Sequence, residues 1–270
     1  MANVRTLERN DLLAAYDEQL RAHVPPRLPE GVSVERDGPL FRFVGFASGG
    51  FIGYRDLDEL SDDDVDALIE RQVAYFRERS ESFEWKLHGH DRPADLPTRL
   101  RRAGFVPEEP ETVVIAPVDA PASNAEPPAG VRLRTVRARA ELARIAALEH
   151  AVWGTDHSWL VDDLERELAA DPDGLVIVVA QDGEDVVSAA WIRFPAGTEF
   201  GTLWGGATLP EWRRRGIYRA LVAYRAQLAA RRGVRYLEVD ASDDSRPILE
   251  RLGFVPVTTT TPYVWSPGRA

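Results

Sequence analysis

The chain has 270 residues, 44% of them hydrophobic, with a formal net charge of −11 and no cysteine. That length suits one large domain or two ordinary ones; the lack of cysteine excludes disulfides, thiol nucleophiles and cysteine metal sites, and points to a cytoplasmic protein. The acidic field would repel nucleic acid and anionic membrane, so neither is an expected partner; no apolar run approaches the ~18 residues of a membrane span.

In chain order, "SDDDVD" (61–66) reads as a helix start whose acids complement the positive end of the helix dipole. A long helix and a strand follow in "VDALIERQVAYFRERSESFEWKLHGHD". At its end "HGHD" (88–91) sets two histidines at i, i+2 beside Asp91. That pattern is too short to claim a metal, and reads as a polar strand end or a cleft-lining remnant. "APVDAPASNAEPPAG" (116–130) lacks apolar periodicity and marks a flexible boundary. We divide the chain into a lobe over 1–117, a linker over 118–130 and a lobe over 131–270.

The second lobe alternates. Strand 130–136 precedes helices 138–153 and 158–171, the latter with Ser158 as expected N-cap. Strands 174–181 and 186–194 flank the turn "DGED". Strand 200–209 is interrupted by Gly205 and Gly206; helix 216–232, strand 234–241, helix 245–253 and a strand near 261–265 complete the order β α α β β β α β α β. "LRRAGFVPEEPETVVI" (100–115) matches "LERLGFVPVTTTTPYVW" (249–265), and a long helix and a strand precede each. Two segments matching in the same order suggest duplicated lobes. The expected fold class is α/β with a mixed α+β sheet.

The stretch "ATLPEWRRRGIYRALVAY" (207–224) carries the chemistry. A strand ends near Leu209, and Pro210 cannot continue a ladder. Gly216 then opens a helix whose buried face carries Ile217, Leu221, Val222 and Leu228. A helix start offers unpaired N–H groups and partial positive charge, and glycine lets a ligand approach the backbone. The arrangement suits phosphate; an arginine-rich solvated helix face is the plainer alternative. The break at Gly205 and Gly206 supports the cradle, because a bulged strand frees backbone groups for a ligand. A pyrophosphate joined to an amide-bearing arm fits both features, and coenzyme A is such a ligand.

Residues 130–266 resemble the GNAT superfamily of acyl-CoA-dependent N-acyltransferases. That family's signature, Arg/Gln-x-x-Gly-x-Gly/Ala, reads here Arg213-Arg214-Arg215-Gly216-Ile217-Tyr218, with Tyr218 where a small residue is usual. The resemblance implies a GNAT fold in the second lobe, in tandem with a degenerate GNAT-like first lobe, and acetyl-CoA as co-substrate without a metal. It implies that Ala207, Thr208 and Leu209 pair with the pantetheine arm, and that backbone from Arg214 to Arg219 holds the pyrophosphate beside Arg213. Ser242 and Ser245 fall near the family's polar CoA contacts. Leu249 stands where many members carry a tyrosine acid. The acceptor would be a small-molecule or peptide amine, and the protein a monomer or homodimer.

The base that takes the amine proton is sought among Glu199, Glu238 and Asp240, with a turn or capping role as the other reading of Asp240. Tyr263 is the candidate replacement acid, or else an ordinary half-buried strand tyrosine. Trp153, Asp156, His157 and Trp159 cluster in "VWGTDHSW" and would contact a cationic or aromatic amine; alternatively both tryptophans are core, as Trp191 and Trp204 are expected to be. The competing function is a CoA-binding or scaffold protein without turnover.

Overall fold

The computed structural model describes residues 9–121 and 126–268. Helix α1 (Arg9–Gln19) leads to strands β1 (Ser33–Asp37), β2 (Leu40–Val44) and β3 (Gly50–Gly53). Helix α2 (Asp62–Glu78), strand β4 (Phe83–His88), helix α3 (Leu96–Arg102), the short β5 (Val106–Pro107) and β6 (Glu111–Pro117) complete the first half. The second half runs β7 (Val131–Val136), α4 (Arg139–Trp153), α5 (Trp159–Ala170), β8 (Leu175–Asp182), β9 (Asp185–Arg193), β10 (Phe200–Thr208), α6 (Ile217–Arg231), β11 (Tyr236–Ala241), α7 (Arg246–Arg251) and β12 (Val255–Trp265). The element order of the second half is the expected one, with a longer last strand. No described helix is long and apolar enough to cross a membrane.

All twelve described strands join one mixed sheet, ordered β1-β2-β3-β4-β12-β6-β11-β10-β9-β8-β7 with β5 beside β12. The halves exchange their last strands. β6 pairs antiparallel with β11 of the second half, and β12 pairs antiparallel with β4 of the first, while β6 and β12 pair with each other. The cores follow the exchange: Tyr263 and Trp265 of β12 pack with Phe76, Phe83 and Trp85, and Val114 and Ala116 of β6 pack with Leu221 and Leu237. Helix α1 lies over the junction, with Leu12 and Tyr16 against Val113, Ile115 and Val257. Division at the linker therefore leaves each final strand in the other half's sheet. The linker begins inside the structure, since Val118 is buried and its N–H donates to the Arg235 carbonyl at 3.0 Å; its middle, 122–125, lies outside the described residues.

The repeated "GFVP" adopts one geometry twice. Gly104 (φ 94°) and Gly253 (φ 92°) end α3 and α7 in the left-handed region that glycine favours. Phe105 N–H donates to the Leu100 carbonyl and Phe254 N–H to that of Leu249, both at 3.1 Å. This is the six-to-one bond of a Schellman cap, and its recurrence supports duplication.

Two helix starts are capped in different ways. At α2 the Ser61 hydroxyl accepts the Asp64 N–H and the Asp64 carboxylate accepts the Ser61 N–H, a capping box with Asp62 and Asp63 in the first turn. Its own carboxylates thus fill the place an anion would take. Ser61→Ala should destabilise the protein by about 1 kcal/mol in urea unfolding; an unchanged midpoint would mean that the cap adds nothing to stability. At α5 Ser158 stands at the expected N-cap position but in helical conformation, and its side chain caps no helix N–H; the Asp156 carboxylate accepts its N–H at 2.9 Å and its hydroxyl at 3.0 Å.

Candidate active site

Strands β10 and β11 run parallel but pair only through Phe200–Tyr236, Gly201–Leu237 and Thr202–Glu238. Beyond Thr202 they part. β10 bulges against β9 between Gly205 (φ 69°) and Ala207, with Gly206 at φ 101°. These angles exclude most side chains, and space excludes the rest. A Cβ on Gly205 would lie 2.6 Å from the Trp191 ring, and one on Gly206 would lie 2.8 Å from the Tyr218 ring. The missing side chain of Gly206 is what makes room for Tyr218. The tyrosine packs half-buried under the bulge, with its hydroxyl against Ser245, and does not occupy the helix start.

Gly216 (φ 88°) is the N-cap of α6, and no side chain caps that helix. Its first bond runs from Ala220 N–H to the Gly216 carbonyl. The N–H groups of Arg214 through Arg219 have no partner among the described residues. Arg213 closes the loop by donating to the Thr208 carbonyl at 3.1 Å, and Arg215 stacks on Trp212. The result is a glycine-opened, positively surrounded row of free donors. Arg225, which the sequence reading missed, braces the bulge from below. It is 1% exposed and donates Nη1 to the carbonyls of Trp191 (2.9 Å) and Trp204 (3.1 Å). Burial lowers its pKa to about 10.

The splay opens into a cavity of about 770 Å³ between the halves. Strand alternation puts Thr202 and Trp204 of β10, Glu238 and Asp240 of β11, and Glu84 and Lys86 of β4 on its floor. Lys86 reaches over two intervening strands to place Nζ 2.6 Å from Asp240 Oδ2. Burial works against the ammonium, but Asp240 and Glu84 outweigh it and hold the charge. Glu238 is 6% exposed. Burial pushes its pKa well up, Asp240 adds to the rise, and Lys86 opposes it. Burial also raises Glu84, and raises Glu111 to about 7 with help from Asp240. Lys86 had a signal in the sequence that went unused: it is the one lysine among 33 basic residues.

Of the four predicted acceptor residues, Trp159 lines the cavity. Trp153 is 63% exposed and donates to Glu149, while Asp156 and His157 bond within their own loop. The alternative that Trp153, Trp159 and Trp204 are core is corrected: all three are exposed, and Trp204 flanks the cavity with Nε1 donating to Thr202. Trp191 is buried, as expected. Tyr263 is buried in the first half's core and does not line the cavity. Glu199 sits outside with Gln19 and Arg235. Ser242 and Ser245 stand 3.2 Å apart before α7, and Leu249 is core. "HGHD" ties α1 to β4. Tyr16 bonds His88 (3.0 Å), and Asp91 accepts from Arg21, Tyr54 and the His88 N–H. Burial works against the Asp91 carboxylate, but these partners hold it at about 2.

Residues 139–254 match the model of the acetyltransferase (GNAT) family. No curated protein matches the chain. Among solved structures, the fold is similar to a GCN5-related N-acetyltransferase from Kribbella flavida, at 18% identity over 88% of this chain and 90% of that one, TM-score 0.65. It is similar to a conserved protein of unknown function from Staphylococcus epidermidis, at 13% identity over 93% and 97%, TM-score 0.65. It is also similar to a tandem GNAT protein from the clavulanic acid biosynthesis pathway, at 14% identity over 90% and 86%, TM-score 0.63. The splayed strands and open helix start of the second half thus lie inside residues 139–254, the segment that matches the acetyltransferase (GNAT) family model, in a chain whose fold is similar to that of a tandem GNAT protein.

Proposed function

We propose that the chain is an acetyl-CoA-dependent N-acetyltransferase that acts by direct transfer to a small-molecule or peptide amine. Residues 131–270 are its acetyltransferase lobe, and residues 1–117, joined by 118–130, form a lobe that no longer holds CoA. The observation that carries this reading is the splay of β10 from β11 beside the uncapped start of α6. A free strand edge for an amide-bearing arm leads to free N–H groups for a pyrophosphate. Ala207, Thr208 and Leu209 would take the arm, and Arg214 to Arg219 the pyrophosphate. Arg213 would fix the loop, and Ser242 and Ser245 would add polar contacts.

Acetyl-CoA would supply a thioester whose carbonyl carbon the amine nitrogen attacks, while the C–S bond breaks and sulfur leaves as thiolate. A thiol pKa near 8.5 makes that departure feasible without a side-chain acid. Glu238 would take the proton that the amine loses, directly or through water, because burial and Asp240 raise its proton affinity above that of an ordinary carboxylate. Asp240 sustains that pKa and Lys86 limits it. Tyr263, enclosed in the first half's core, has no part in this scheme.

Saturating acetyl-CoA should raise the thermal midpoint, since a ligand at 100 Kd stabilises the native state by about 2.7 kcal/mol. Gly216→Glu should remove that shift, because φ 88° strains any L residue and the new carboxylate repels phosphate. No shift with the native chain would sink the reading. The buried Leu249 favours one alternative, CoA binding without turnover; thiol release across an amine panel separates the two.

A further inference from the structure

We infer that the cleft between the lobes selects an acceptor with at least two cationic nitrogens, one at the β10–β11 splay and another against Glu84. This deepens the acetyl-transfer reading and rests on it for the role of the first nitrogen. Glu84, Glu238 and Asp240 line the floor, and Lys86 is the one cation set among them. The other cations of the lining already have partners. Arg21 is held by Asp91, Arg166 by Asp163, Arg193 by Glu167 and Arg27 by Asp171. The floor therefore holds more acidic groups than cations. Buried charge of that kind is tolerated only when paired or neutralised.

Unmet hydrogen bonding points the same way. Glu84 Oε1 and Asp240 Oδ1 are buried without any donor. Glu238, 6% exposed, lines the cavity beside them and shares a side-chain hydrogen bond with Asp240. Buried acceptors are rarely left open in folded proteins, and a protonated amine supplies N–H donors and positive charge together. The walls suit the same ligand. Trp204 is 43% exposed and already carries the Arg193 guanidinium 4.6 Å from its ring centroid, with Lys86 Nζ at 6.0 Å. Trp159 offers a second indole. A volume of about 770 Å³ holds far more than one amino group. A metal ion fits less well: among the described residues no three His, Asp or Glu side chains are grouped to coordinate one.

Proton linkage gives a readout independent of turnover. Glu84 and Glu238 are raised by burial, and Glu111 behind them to about 7. A bound dication would lower all three and release protons.

The test is calorimetric titration of the full chain at pH 7 with spermidine, 1,4-diaminobutane and butylamine, in two buffers of different ionisation heat. Spermidine should bind at least about tenfold tighter than butylamine, with net proton release. Glu84→Gln should cost spermidine about tenfold and butylamine little. If that variant does not fold, Trp204→Leu serves instead and should weaken spermidine about fivefold. Equal affinity for the mono- and diamines, tighter binding of a neutral aromatic amine, or displacement of spermidine by Mg²⁺ would overturn the inference. Acetyl-CoA is titrated separately. Acetyl-CoA binding without diamine preference removes this inference and spares acetyl transfer; diamine binding without acetyl-CoA binding does the reverse.

Discussion

Glu238→Gln should lower kcat by about 10²–10⁴ and leave acetyl-CoA affinity unchanged. The amide keeps the shape of the side chain and removes its proton affinity. The native profile of kcat/KM against pH should rise on its acid side through a pKa above the ordinary carboxylate range, because burial and Asp240 both disfavour the Glu238 anion. Lys86→Met should move that limb to still higher pH, since the ammonium lowers the Glu238 pKa. An acid limb near pH 4, or a kcat unaffected by Glu238→Gln, would assign the base elsewhere. The same variant has a stability consequence of opposite sign. A carboxyl with a raised folded pKa favours the native state fully below its unfolded value. That advantage is lost as pH rises through the folded value. Glu238→Gln should therefore raise the thermal midpoint at pH 8 relative to the native chain and change it less at pH 5. A residue retained against stability in a cleft is what a catalytic role predicts.

The second large effect concerns Trp265→Ala, which should cost about 3–5 kcal/mol. By position this residue belongs to the second half. By packing it belongs to the first. It is 5% exposed, pairs with Phe83 at the end of β12, and has its ring 5.9 Å from the Phe83 ring with the Arg77 guanidinium at 5.6 Å. Because β12 and β6 cross between the halves, losing this anchor should weaken both at once. Urea unfolding followed by far-ultraviolet circular dichroism and by tryptophan fluorescence should give one coincident transition at a lower midpoint. Two separated transitions would mean that the exchanged strands do not couple the lobes. A loss below about 1 kcal/mol would contradict the packing.

The sequence by itself determined the parts whose cause is local. Apolar spacing located the helices and strands of 131–265. Gly205, Gly206 and Gly216 marked the bulge and the helix start, because left-handed backbone there admits little but glycine. "SDDDVD" announced a helix start with acids at its positive end, and the Ser61–Asp64 cap found there lies within the same four residues. The free N–H row of α6 was legible for the same reason. Tertiary structure alone decided the rest. A strand's alternation is satisfied by any neighbour that buries its apolar face, so no local pattern could say that β6 pairs with β11 and β12 with β4. The fit of Tyr218 depends on Gly206, a residue on another element. Trp204 looked like core because alternation names a face without saying whether that face meets a helix or a cavity. Lys86 and Asp240 lie 154 positions apart; only the exchange of strands sets one over the other, and with them the charge of the site.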